Sequence, residues 1–164
     1  MALRNHVEWA LYCCVVLATL PPGQYVSTKA LAAFYGLPKD YLHKALQRLS
    51  KAELVETAPG PMGGYRLAKA SGAITTLDIV EAIGASDSLY RPTSIHSRLP
   101  FLRDDNVSEG SAIDRLMYAA ERQWRRSLHS VTLQELAQSY ERDFDADGWQ
   151  KNVSDIRERR WLET

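Results

Sequence analysis

Residues 28–68 constrain this chain more tightly than any other stretch. Two short helical segments are hinged at a glycine, and two short strand-like segments follow, hinged at a run of prolines and glycines. None of the four is long enough to stand alone, so they must pack on one another and on something larger. The first helix is expected over Thr28–Tyr35, with Gly36 as its left-handed cap. The second starts with Pro38 at its first position, where a missing N–H costs nothing. The recurrence of Tyr41, Leu42, Ala45, Leu46 and Leu49 predicts its inner face, which leaves Lys39, Asp40, His43, Lys44, Gln47, Arg48 and Lys51 outside. Two short helices around a tight glycine-containing turn make a helix-turn-helix. Leu54–Thr57 and Tyr65–Ala68 then read as strands around the loop 58–64, Ala-Pro-Gly-Pro-Met-Gly-Gly, a hairpin of the kind called a wing.

A buried helix precedes this unit. Leu3, Val7, Ala10, Leu11, Cys14, Leu17 and Ala18 recur at three- and four-residue steps, and Pro21-Pro22-Gly23 ends the run. An extended piece, Tyr25 to Ser27, leads out of it. The apolar stretch Trp9–Leu20 covers 12 residues, against the ~20 needed to cross a bilayer. No basic segment followed by a small-residue cleavage site opens the chain. No membrane partner and a cytoplasmic location are therefore expected. Cys13 and Cys14 are adjacent; they read as small core hydrophobes, with thiol-based redox sensing as the sharper alternative. Two cysteines without spaced partners cannot build a tetrahedral metal site by themselves.

After the hairpin, Thr76–Ile83 reads as a short helix and 86–110 as a poorly periodic connection. Ser111 with Asp114 then forms a capping-box signature. Ile113, Leu116, Met117, Ala120, Trp124, Leu128 and Val131 make one apolar stripe, longer than a small domain needs to cover; an interface with a second copy is its natural use, with intramolecular core as the alternative. Thr132 with Glu135 opens one more helix, through about Tyr140. The tail from Asp145 has no assignable structure. The expected architecture is mostly α with a small β-wing: a winged helix-turn-helix over 1–84, a linker or effector loop over 85–110, dimerisation helices over 111–145, and a tail over 146–164.

Charge points the same way. The whole chain has a formal net charge of zero, but Lys29, Lys39, Lys44, Arg48, Lys51, Arg66 and Lys69 leave residues 27–70 at +4 and the remainder at −4. A basic module on a neutral chain suits a reader of double-stranded DNA. The amide and basic side chains of the second helix can bond phosphates and base edges. No P-loop, G-x-S-x-G, H-E-x-x-H or Cys/His pair with a partner carboxylate is present, so an enzyme is not expected. The competing reading is a winged-helix module for protein–protein contact, for which the exposed Lys39, Lys44, Arg66 and glycine-rich hairpin would be unnecessary.

The strings S-T-K-A-L-A-A-F-Y-G-L-P-K-D-Y-L-H-K-A-L-Q-R-L, then L-V-E-T-A-P-G-P-M-G-G-Y-R-L-A, then I-T-T-L-D-I-V-E-A-I resemble the Rrf-type family of bacterial winged helix-turn-helix transcription regulators. The motif G-P-x-G-G-Y-x-L is the most specific part, and the likeness reaches the T-L-Q-E-L-A segment, so it spans most of residues 1–140. The resemblance implies a homodimer on a palindromic operator, usually a repressor, with half-sites ~34 Å apart. It implies DNA contacts from Thr28, Lys29, Lys39, Asp40, Tyr41, His43, Lys44 and Gln47, and from Met62, Gly63, Gly64, Tyr65 and Arg66 in the wing. Dimer contacts fall to Ile113, Leu116, Met117, Ala120, Trp124 and Leu128. Many members of the family carry an iron–sulfur cluster, but Pro92 and Ser111 stand where the resemblance would place cysteines. Glu8, Tyr12 and His96 alone would make a poor cluster site. No cofactor and no metal are therefore expected. One candidate signal is a small-molecule effector held by Trp9, Tyr12, Cys13, Tyr90, His96 and Phe101, where aromatic and polar groups combine; for Trp9 and Tyr12 the competing reading is ordinary core packing.

Overall fold

The computed structural model describes residues 5–85, 88–93, 98, 110–145 and 147–159. Its elements run α1 (Asn5–Thr19), α2 (Thr28–Tyr35), α3 (Lys39–Lys51), β1 (Val55–Ala58), β2 (Gly64–Leu67), α4 (Thr76–Val80), α5 (Ala112–His129), α6 (Leu133–Glu141) and α7 (Gly148–Arg159). This is the mostly helical winged architecture read from the sequence, with one helix, α7, that the reading lacked.

The helix ends follow local chemistry. Ser27 Oγ accepts from the Ala30 N–H, and Gly36 closes α2 at φ 64°, ψ 33°. Pro38 falls one place earlier than expected, as the cap of α3 rather than its first residue. Both predicted capping boxes form: Ser111 with Asp114 at α5, and Thr132 with Glu135 at α6. A third, Thr75 with Asp78, opens α4. Each such cap contributes about 1 kcal/mol. α4 is shorter than expected because it passes into a wider turn, Glu81–Ala85, that Gly84 breaks at φ 111°.

α1 is the hub of the core. Its buried Val7, Ala10, Cys13, Cys14, Val16 and Leu17 meet α3, α4, α6 and β2. α3 supplies Leu42, Ala45, Leu46 and Leu49, all buried. Tyr41, expected on that inner face, is instead 50% exposed. It turns outward because α1 offers it an aromatic edge: its ring packs T-shaped against His6 and Trp9.

β1 and β2 pair antiparallel, Val55 opposite Leu67 and Ala58 opposite Gly64, each strand one residue later or earlier than the sequence pattern placed it. Val26, in the predicted extended piece, bridges the other edge of β2 as a single-residue third strand: its N–H donates to Tyr65 O at 3.0 Å, and the Tyr65 N–H donates back at 2.8 Å. α7 is held by Trp149, Val153 and Ile156, all buried. Their spacing of four and three residues is a helical stripe, short enough to be lost among the charges around it. No helix among the described residues is long and apolar enough to cross a membrane.

Candidate nucleic-acid interface

With Leu42, Ala45, Leu46 and Leu49 turned inward, the opposite side of α3 carries Lys39, Asp40, His43, Lys44 and Gln47, all exposed. The row is partly ordered before any ligand arrives. Gln47 Nε2 lies 3.0 Å from His43 Nε2, and Lys44 Nζ sits 5.7 Å from the centre of the Tyr41 ring. Amide, imidazole and ammonium groups on one helix face are the set that reads base edges and phosphates.

The wing stands beside this row. A cleft of about 360 Å³ between them is lined by Gln47, Ser50, Thr57, Ala58, Gly64 and Tyr65. Gly63 and Gly64 have a steric role in the hairpin. A Cβ on Gly63 would lie 2.0 Å from Ala58 O, and one on Gly64, at φ 136°, would lie 2.3 Å from Val26 O. Met62 is 49% exposed at the tip. Arg66 faces outward opposite Glu56 in the ladder and forms an ion pair with it. Its guanidinium also lies 4.6 Å from the Tyr25 ring centre, while the Tyr25 hydroxyl bonds Glu56. Thr28 and Tyr65 are buried, so they support this surface from beneath. Burial raises the pKa of the Tyr65 hydroxyl. Lys29 is exposed at the start of α2.

Among the described residues, α5 is tied to the core at its C-terminal end. The Thr76 hydroxyl donates to Leu128 O at 2.5 Å, the Thr76 N–H to Val131 O at 2.9 Å, and the Leu133 N–H to Ile74 O at 2.8 Å. Arg125 forms an ion pair with Glu81. Trp124 and Leu128 pack on the core. Toward the other end, Ile113 and Leu116 are each 67% exposed, Met117 and Tyr118 are also exposed, and Ala120 is exposed too. Tyr90 lies against this part of the helix, its ring T-shaped to Tyr118 and its hydroxyl bonded to Asp114.

Comparison with known proteins supplies the name for this arrangement. Residues 3–139 match the Rrf2 family, described as an iron-dependent transcriptional regulator. The chain belongs to the Rrf2 family. It is therefore a DNA-binding transcriptional regulator and not an enzyme. A Bacillus subtilis strain 168 protein, YwgB, whose name describes an HTH-type transcriptional regulator, is 25% identical over 137 residues, which is 82% of this chain and 83% of YwgB. Among solved structures, IscR of T. potens superposes with a TM-score of 0.67 at 23% identity, over 92% of this chain and 96% of that one. CymR of B. subtilis, the global cysteine regulator, superposes at 0.63 with 24% identity, over 85% of this chain and 98% of CymR.

The iron in the family's description can be tested against the donors this Rrf2-family chain offers. Its two cysteines are buried in α1. Desolvation, with Cys14 alongside, pushes the Cys13 thiol far up, and desolvation pushes Cys14 to about 12. Metal ligation and redox reactivity both need the thiolate. The Ser111 hydroxyl is committed to Asp114, accepting from its N–H at 3.0 Å and donating to its carboxylate at 2.8 Å. Pro92 has no side-chain donor atom. No group of three or more His, Cys, Asp or Glu side chains suited to a metal occurs among the described residues. These residues do not fit a thiolate-held iron site.

The residues expected to hold an effector are placed in separate surroundings. Trp9 stacks on His6, Tyr12 meets Tyr35 and Tyr140, Cys13 is in the core, and Tyr90 packs against α5. His96 and Phe101 lie outside the described residues. Sequence reasoning missed His6 as a partner of Tyr41; the shared i, i+3 face of His6 and Trp9 on α1 was the available signal.

Proposed function

We propose that the chain acts as a homodimeric repressor of transcription that reads a palindromic operator, with no iron–sulfur cluster. The observation that carries this reading is the exposed row Lys39, His43, Lys44 and Gln47 on α3, beside the glycine-built wing. In it, α3 enters the major groove. Lys39 and Lys44 hold phosphates, His43 and Gln47 face base edges, Tyr41 adds an apolar contact, and Met62 and Arg66 follow the backbone. Asp40, in the first turn of α3, restricts the register by repelling phosphates. Lys29 anchors α2 on the backbone.

Residues 1–84 form the reading unit, 85–110 link it, and 111–145 pair two copies. The second copy covers Ile113, Leu116, Met117 and Ala120, while Trp124 and Leu128 join that seam to the core. Two α3 helices then sit one helical turn apart, ~34 Å.

Selection of bound duplexes from a random pool, at two salt concentrations, tests the reading. A recovered palindrome retained at the higher salt is the expected result. Binding without sequence preference that vanishes as salt rises would overturn it.

A further inference from the structure

A second opening lies away from α3 and the wing. Beneath the end of α1, between α6 and α7, is a cleft of about 310 Å³, within the range of small-molecule sites. Thr19 and Ser71 contribute hydroxyls, Gln134, Gln138 and Glu141 line the α6 side, and Trp149 and Gln150 line the α7 side. Trp149 is only 2% exposed, yet its indole N–H meets no acceptor. Folded chains leave few buried donors unanswered, and each one calls for an explanation. The Glu141 carboxylate accepts one long bond, 3.5 Å, from the Gln150 amide, and among the described residues no lysine or arginine lines the cleft.

One carboxylate, three carboxamides, two hydroxyls and an unanswered indole N–H define a ligand chemistry. The Glu141 carboxylate, with no basic side chain among the described lining residues, disfavours anions. The carboxylate favours a cation, and the amides and indole suit hydroxyl oxygens, which both donate and accept. We propose that this cleft is the effector site of the regulator and takes a small hydroxylated amine. Its ammonium meets Glu141, its hydroxyls meet the glutamine amides, and one oxygen accepts from Trp149 once the ring tilts to open its buried N–H to the cleft. The proposal rests on the reading of the chain as a regulator of DNA.

Packed rings connect the cleft to the helix-turn-helix. The Trp149 ring lies T-shaped to Tyr140 at 5.2 Å, Tyr140 to Tyr12 at 5.6 Å, and Tyr12 lies 5.6 Å from Tyr35. Tyr35 is the last residue of α2, and its hydroxyl donates to Tyr12 O at 3.1 Å. Ligand seated on Trp149 shifts this stack, and with it the seat of α2 against α1, which biases how α3 is presented.

The test uses the full chain with ¹⁵N-labelled tryptophan, and glucosamine, glucose and gluconate as probes. The Trp149 indole signal is assigned by its nuclear Overhauser contacts with Tyr140. Glucosamine should shift that signal saturably, glucose should bind about tenfold more weakly, and gluconate should not bind. Glu141→Gln, at an exposed position, should weaken glucosamine about tenfold and leave glucose unchanged. Absence of a glucosamine shift, or equal affinity in Glu141→Gln, overturns the assignment.

A second arm measures affinity for the selected palindrome with and without glucosamine, where a change of about fivefold or more is expected. A shifted indole with unchanged DNA affinity overturns the effector role. Failure to bind any duplex overturns the DNA reading, and the indole titration still reports on the cleft by itself.

Discussion

α3 and α5 are both amphipathic helices, yet they turn opposite chemistry to solvent. α3 buries Leu42, Ala45, Leu46 and Leu49 and shows its charges and amides. α5 buries no residue completely; its C-terminal half leans on the core through Trp124 and Leu128, and its N-terminal half leaves Ile113 and Leu116 two-thirds exposed. A charged outer face needs no further explanation, because water satisfies it. A row of large apolar side chains in water does need one, since covering each would contribute ~1.5–3 kcal/mol. The two helices therefore imply different partners: a polar, charged one for α3 and an apolar one for α5. A second copy of α5 is the simplest apolar partner, because a twofold contact is self-complementary.

The largest expected effect breaks that pairing. Leu116→Asp costs the separate protomer little, since the side chain is already exposed. In the proposed dimer it removes two leucines from the seam and places two carboxylates there, which should weaken association by ~4–6 kcal/mol. Sedimentation should show the mass halved and circular dichroism an unchanged fold, with operator affinity falling by three orders of magnitude or so. An unaltered mass would assign the apolar row to some other cover. The next effect falls on the α3 side. Gly63→Ala drives a methyl toward Ala58 O, 2.0 Å away, and should destabilise the protein by ~1–3 kcal/mol, read as a lower denaturation midpoint with dimer mass unchanged.

Much of this contrast was legible in the sequence, and what was not has a physical cause. Caps are local, so Gly36, Ser111 and Thr132 announced the ends of α2, α5 and α6 within four residues of themselves. The outward face of α3 followed from its leucines. Tyr41 did not, because its place depends on His6 and Trp9, more than thirty positions earlier. α7 carried its stripe in Trp149, Val153 and Ile156, but three apolar residues among charges make a weak period. Its cover comes from Tyr140, Phe144 and α2, contacts that no local pattern encodes.

Within the α3 face, two substitutions separate positioning from reading. Gln47→Ala should cost ~1–3 kcal/mol on the preferred operator and little on random DNA, so that specificity relaxes at one base pair. Lys44→Ala should weaken binding to all duplexes alike and reduce the salt slope by about one. Competition assays across a salt series distinguish them. If both variants behave like Lys44→Ala, α3 supplies charge alone and the base reading belongs elsewhere.

The smallest effect supplies the control for both helices. α3 ends in Ala52 and then Glu53, whose φ of 57° is the only left-handed non-glycine conformation among the described residues. A side chain with a Cβ is strained there by ~1 kcal/mol, and glycine is not. The Glu53 N–H donates to Ser50 O at 3.0 Å, a bond that glycine keeps. Glu53→Gly should therefore stabilise the protein by at most ~0.5 kcal/mol, after the greater backbone freedom glycine gives the unfolded chain is subtracted. Because Glu53 lies on neither the outward row of α3 nor the apolar row of α5, dimer mass should not move. Loss of one carboxylate near the reading face should raise DNA affinity slightly at low salt and not at high salt. A change in dimer mass with this variant would mean that the end of α3 and the seam of α5 are coupled, and the two helices could no longer be treated as independent surfaces.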